Sequence, residues 1–151
     1  MTGPFFDTGV VLKLVVEEPL SATARSYVAR RSVSVLFTRL VELEVENALQ
    51  ALAFRKAITK VQLFGARRLV GELIQEGRFR RVNLSLDRIA TEALRLASVV
   101  TAKTGCRTLD LMHVATAKLL GVGEFVSTDK RQLVAARICG LRAINLQTFA
   151  P

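Results

Sequence analysis

The chain has 151 residues, half of them apolar, with a formal net charge of +9. A mean hydropathy of +0.33 and this length suit one folded domain with a real core and exclude a disordered chain. The apolar runs are short and broken by charge, as in Val10 to Val16, so none is a candidate membrane span.

In chain order, Phe5-Phe6 begins a first strand. The stretch Thr8 to Val16 is ambiguous, because its valines favour a strand while its tight link to Asp7 suits a helix. Pro19 closes it, and Ser21 is placed to cap a helix running to about Arg31. Val33 to Phe37 reads as a second strand. Helices are expected over about Leu40 to Lys56 and about Lys60 to Gln75, then a strand candidate over Phe79 to Leu84. Asp87 is placed to cap a helix through about Lys103, and Thr108 one that stops before Gly121. Glu124 to Ser127 reads as a strand, Lys130 to Ile138 as a helix and Arg142 to Leu146 as a last strand. Alternation of this kind predicts an α/β layer fold with a mostly parallel sheet in a single domain over residues 1–151. Met1-Thr2-Gly3-Pro4 lacks the basic and apolar regions of a signal peptide, so a cytoplasmic protein is expected. Cys106 and Cys139 stand far apart with no Cys or His at metal spacing, which argues against zinc or a disulfide framework.

Four acids occupy the ends of these elements. Asp7 follows Phe5-Phe6, Glu44 lies near a helix start, Asp110 opens a helix and Asp129 follows Phe125-Val126-Ser127-Thr128. Two of them have an ordinary structural explanation to weigh. Asp110 suits the positive end of a helix dipole, and Asp129 suits an N-cap. Asp7 has no evident structural task. Among Glu42, Glu44 and Glu46, the helical wheel sets Glu44 nearest the apolar stripe of Val41, Val45, Ala48, Leu49 and Leu52. Glu42 and Glu46 read as solvated helix charges. Ligands of open parallel sheets sit beyond the carboxyl ends of the strands, where Asp7 and Asp129 fall.

Carboxylates gathered in one place repel one another. A divalent cation such as Mg²⁺ or Mn²⁺ removes that penalty, takes hard oxygen ligands and makes a bound water acidic enough to attack phosphorus. Thr8, Asn47 and Ser127 are candidates to hold the carboxylates or a water in place. His113, one turn after Asp110, could face the same way, although a lone His here is more often structural. The excess of Lys and Arg, clustered at Arg30-Arg31, Arg55-Lys56, Arg67-Arg68, Arg78 to Arg81 and Lys130-Arg131, points to an anionic partner such as nucleic acid. No phosphate-binding glycine loop is present, since Gly121-Val122-Gly123 precedes a strand. A single His and no nucleophile elbow make a triad hydrolase a poor reading. A receiver-like phosphoacceptor wants paired acids after its first strand, and Asp7 stands alone.

Four ordered segments resemble the PIN-domain family, and most closely its VapC-type toxins. They are Phe6-Asp7-Thr8-Gly9-Val10-Val11; Thr38 to Leu49, whose register puts the family's acid on Glu44; Thr108-Leu109-Asp110-Leu111-Met112-His113-Val114-Ala115; and Phe125-Val126-Ser127-Thr128-Asp129-Lys130-Arg131. Gly9 and Ser127 depart from the commoner residues without removing an acid. The resemblance implies a three-layer α/β/α domain. It also implies a metal-dependent endoribonuclease that uses Asp7, Glu44, Asp110 and Asp129 as catalytic metal ligands. A homodimer and an antitoxin protein that covers the acidic site are implied as partners. PIN domains also serve in RNA maturation, and a catalytically silent RNA- or protein-binding domain of the same fold is the rival reading.

Overall fold

The computed structural model describes residues 3–150, so the expectation drawn from Met1-Thr2 lies outside the described residues. The fold is α/β, with seven helices among the described residues and every strand pairing parallel. Two compact units build it: the segment ending at Asp7 together with Leu84–Ala150, and Thr8–Asn83.

The first unit is built on a three-stranded sheet in the order β1 (Phe5–Phe6), β4 (Glu124–Ser127), β5 (Arg142–Asn145). Phe5 pairs with Phe125, and Phe6 with Val126. Phe5, Phe6, Phe125 and Val126 are all fully buried, as neighbouring residues are in a parallel strand covered on both faces. The Phe5 and Phe125 rings stack at 5.6 Å between centroids. Helices α5 (Leu86–Thr104), α6 (Thr108–Leu119) and α7 (Lys130–Ile138) pack on one another, and α7 also packs on β4 and β5. Ile89, Ala93, Leu96 and Val100 form the buried stripe of α5, at the spacing that an amphipathic helix requires. Beyond α6, Gly121 takes φ +65°, a left-handed conformation that glycine adopts without strain.

The second unit pairs β2 (Val35–Phe37) with β3 (Phe79–Arg81). It surrounds them with α1 (Thr8–Val15), α2 (Ser21–Arg31), α3 (Arg39–Phe54) and α4 (Lys60–Gln75). Its buried residues include Val10, Val11, Tyr27, Leu36, Phe37, Val41, Val45 and Leu49. The ambiguous stretch after Asp7 is a helix. Val10, Val11 and Val15 bury as one helical face, and packing against α2, α3 and α4 overrides the β preference of valine.

Several helix starts differ from the sequence expectation by one or two residues. Ser85, not Asp87, caps α5 by accepting from Arg88 N at 3.2 Å, and Asp87 sits in the first turn. Thr108 is the first residue of α6, with Arg107 at the cap. Ser21 is the first residue of α2. Its hydroxyl accepts from Glu18 N and donates to Val16 O, tying down the preceding loop. Thr59 and Gln62 form a reciprocal capping box on α4, which satisfies two otherwise orphaned amides. The strands at Val35, Phe79 and Arg142 are shorter than expected, and Leu146 begins a 3₁₀ turn. Among the described residues, no helix is long and apolar enough to cross a membrane.

The cap assignment is checkable. Ser85→Ala should destabilise the protein by about 1 kcal/mol in urea unfolding, whereas Asp87→Ala should cost at most about 0.5 kcal/mol through the helix dipole.

Candidate metal centre

The parallel register of β1 on β4 decides where Asp7 goes. Its backbone amide continues the ladder, donating to Val126 O at 3.1 Å. That sets its carboxylate against the next residue of β4, and the Ser127 hydroxyl donates to Asp7 Oδ2 at 2.5 Å. Asp7 is 3 % exposed and Ser127 fully buried. A carboxylate this deep needs hydrogen bonds or a cation to offset its lost hydration.

The same serine oxygen accepts from Asp129 N at 2.9 Å. One hydroxyl therefore serves as donor to the first acid and acceptor for the backbone of the second. Asp129 caps α7 as its position suggested. Both cap bonds fall on Oδ1, from Arg131 N at 2.8 Å and Gln132 N at 3.2 Å.

Asp110 lies in the first turn of α6. Its Oδ2 accepts from Arg107 N at 3.3 Å and stands 3.7 Å from the Arg107 guanidinium, so the helix-terminal role is real. Its other oxygen is held differently: Gln132 Nε2 donates to Asp110 Oδ1 at 3.0 Å. Gln132 thus ties α7 to α6 and bridges the neighbourhoods of Asp129 and Asp110. His113 is buried one turn on, its ring 6.0 Å from that of Phe5 and tilted by 43°.

In the first unit, then, Asp7, Asp110 and Asp129 are linked into one polar group through Ser127 and Gln132. Among the described residues, no three His, Cys, Asp or Glu side chains converge as a ready metal cluster. Mg²⁺ does not require one: it keeps several waters and is commonly held by one or two carboxylates. The donors here are hard oxygens, the sort that Mg²⁺ and Mn²⁺ take. In addition, the buried Oε1 of Gln132 has no hydrogen-bond partner among the described residues. An unsatisfied oxygen acceptor on the amide that holds Asp110 suits a water of a cation's shell. The residues present fit the ion.

Glu44 belongs to the second unit. Thr8, the first residue of α1 and the chain neighbour of Asp7, donates through Oγ1 to Glu44 Oε2 at 2.7 Å. Asn47, one turn along α3, is exposed. Glu42 is not a simple solvated charge. It accepts both terminal nitrogens of Arg81 at 2.8 Å and a third bond from Arg39 at 2.8 Å. The Arg81 hydrogen bonds hold its pKa below the ordinary carboxylate value. Glu46 pairs with Arg67 and accepts from Gln50. Cys106 and Cys139 are free, and burial pushes both thiols up, towards their protonated and unreactive form.

The sequence reading did not single out Gln132. The available signal was its place beside Leu133, Ala135 and Ala136 on the buried face of α7, a polar residue among apolar ones.

Residues 5–138 match the PIN domain family. The chain is 31% identical over 148 residues to a protein of Mycobacterium tuberculosis named Ribonuclease VapC46, covering 95% of this chain and 98% of that one. The fold is similar to the crystal structure of FitAcB from Neisseria gonorrhoeae, with a TM-score of 0.63 and 15% identity over 99% of this chain and 100% of that chain.

The Glu42–Arg81 pair makes a pH-dependent prediction. Because the folded pKa of Glu42 is depressed from 4.5, its contribution is fully present above the unfolded value and is lost as pH falls through the folded one. Arg81→Met should therefore cost stability at neutral pH, no more than about 1 kcal/mol given the exposure of the pair. The difference from wild type should shrink in urea titrations carried down through the acid range.

Proposed function

The chain belongs to the PIN-domain family, and on that premise we propose that it is a divalent-metal-dependent endoribonuclease acting as the toxin of a toxin–antitoxin pair. The observation that carries the chemistry is the linked acid group: Asp7, Asp110 and Asp129, held through Ser127 and Gln132. Asp7 and Asp110 are the principal metal ligands in this reading. Asp129 contributes through Oδ2, since Oδ1 is spent on the helix cap. Glu44, oriented by Thr8, joins the set by the family resemblance. The name and near full-length match of the mycobacterial relative support RNA as the substrate, and the net charge of +9 supports a polyanion.

When bound, Mg²⁺ or Mn²⁺ supplies charge to neutralise a phosphate oxygen and acidity to a water. The chain's own residues do the rest. Ser127 fixes the Asp7 carboxylate so that it does not turn away when the cation leaves. The Gln132 amide does the same for one oxygen of Asp110. Basic side chains hold the RNA backbone by neutralising phosphates, an attraction that weakens as salt rises.

The family match runs continuously across both units, which supports a single functional domain. An antitoxin and a second copy of the chain are the proposed protein partners. On α3 and α4, Phe54, Val61 and Phe64 are 89%, 80% and 64% exposed, apolar area of a kind that partners cover. Free cysteines and the absence of a spanning helix among the described residues accord with a cytoplasmic location.

Purified protein, freed of any copurifying partner, should cut single-stranded RNA with Mg²⁺ or Mn²⁺ and stop when chelator is added. Asp7→Asn and Asp110→Asn should each lower the cleavage rate by about 100-fold or more, the scale of losing a preorganised electrostatic stabiliser. RNA left intact with both cations, or variants that cleave as well as wild type, would overturn the reading.

A further inference from the structure

Beyond its bond to Asp110, the surroundings of Gln132 are unusual for a glutamine. It is 7 % exposed and lies on the buried face of α7, where an aliphatic side chain of similar length would pack without a polar penalty. Its amide uses one end only. Nε2 donates to Asp110 Oδ1, and the residue's backbone nitrogen donates to Asp129 Oδ1, so the side chain leaves the helix at one acid and ends at another. Oε1, the other prong of the same amide, is buried with no hydrogen-bond partner among the described residues. Nearly all buried polar atoms find partners, and an exception calls for an explanation such as an ion or its water.

We propose that Gln132 is a positioning residue of the cation site. Its amide nitrogen fixes the Asp110 carboxylate in its ligating orientation, and its amide oxygen accepts a hydrogen bond from the cation's water shell. This rests on the metal-dependent reading above. Asp110 accepts one hydrogen bond on each oxygen, and each carboxylate oxygen has a further lone pair for a cation, so the Nε2 bond orients Asp110 without consuming it as a ligand. Groups that orient ligands in this way raise affinity by removing the cost of ordering the carboxylate when the cation arrives. The amide has the polarity that both duties need. Its donor end meets a carboxylate, while its acceptor end meets the hydrogens of coordinated water.

The experiment is Mn²⁺ binding to the whole protein, followed by titration calorimetry and by the spin-resonance signal of free Mn²⁺. Wild type is compared with Gln132→Met, Gln132→Asn and Asp110→Asn, and the melting temperature of each is taken with and without the ion. Gln132→Met keeps the length and loses both hydrogen-bonding ends; Gln132→Asn keeps the amide but draws it out of reach of Asp110. Each should bind Mn²⁺ about 10- to 100-fold more weakly than wild type. Metal-free Gln132→Met should melt close to wild type, because removal of the orphaned acceptor offsets loss of the Nε2 bond to Asp110. Its Mn²⁺-induced rise in melting temperature should be smaller. If wild type binds Mn²⁺ and Asp110→Asn does not, yet both Gln132 variants bind as tightly as wild type, the Gln132 role is wrong and the metal reading stands. If affinity falls only in step with the metal-free melting temperature, Gln132 is structural and the proposal fails. If wild type itself binds no Mn²⁺, both fall together.

Discussion

The parallel pairing of a two-residue strand with a four-residue strand is the contact on which the acid group depends. Phe5 and Phe6 lie against Phe125 and Val126, and the chain then has no freedom left: the residue after Phe6 must arrive beside the residue after Val126. Asp7 therefore meets Ser127, 120 residues away in sequence. A slip of one residue in this register would turn Asp7 to the opposite face of the sheet. Buried aromatic area adds to its few ladder bonds, since the Phe5 ring lies against those of both Phe125 and His113.

From that contact the polar links extend in one direction. Ser127 passes to the backbone of Asp129, Asp129 starts α7, and the third residue of α7 reaches Asp110 on α6. Each link is an ordinary device: a hydroxyl used both ways, an N-cap and a buried amide. Structural and chemical roles are not alternatives here. Asp129 caps its helix with Oδ1 alone, whereas Asp110 takes a backbone amide on Oδ2 and the Gln132 amide on Oδ1.

Much of the fold was legible from periodicity and composition. The β4 strand, α4 and α7 fall over the ranges read from the sequence, and Asp129 caps α7 as its position suggested. The Thr8–Val15 helix was not decidable locally, because Val10, Val11 and Val15 satisfy a strand preference as readily as a helical face. Packing against three other helices settles it, and no local pattern contains that information. Cap positions slipped because Ser85 and Asp87 are both good capping residues two apart, and only backbone geometry separates them. At the acids, the helical wheel raised Glu44 above its neighbours, and the Thr8 bond gives that acid a partner. Glu42 was misread as solvated because Arg81 comes from another element, 39 residues on. Gln132 was hidden by its setting: after Lys130-Arg131 it looks like the third residue of a solvent-facing run, and its burial depends on how α7 turns over the sheet.

The chain order of that first pairing also governs when the acid group comes into being during synthesis. Asp7 leaves the ribosome early, but its partners Ser127, Asp129 and Asp110 lie in the last third of the sequence, and the intervening Thr8–Asn83 unit has its own core to form first. A contact of this sequence separation is slow to close and waits for its second strand. The nascent polypeptide, held beside ribosomal and messenger RNA, therefore carries its acids dispersed. They are linked only once the segment carrying Ser127, Asp129 and Gln132 has been made, so the acid group forms late in synthesis and not early in elongation.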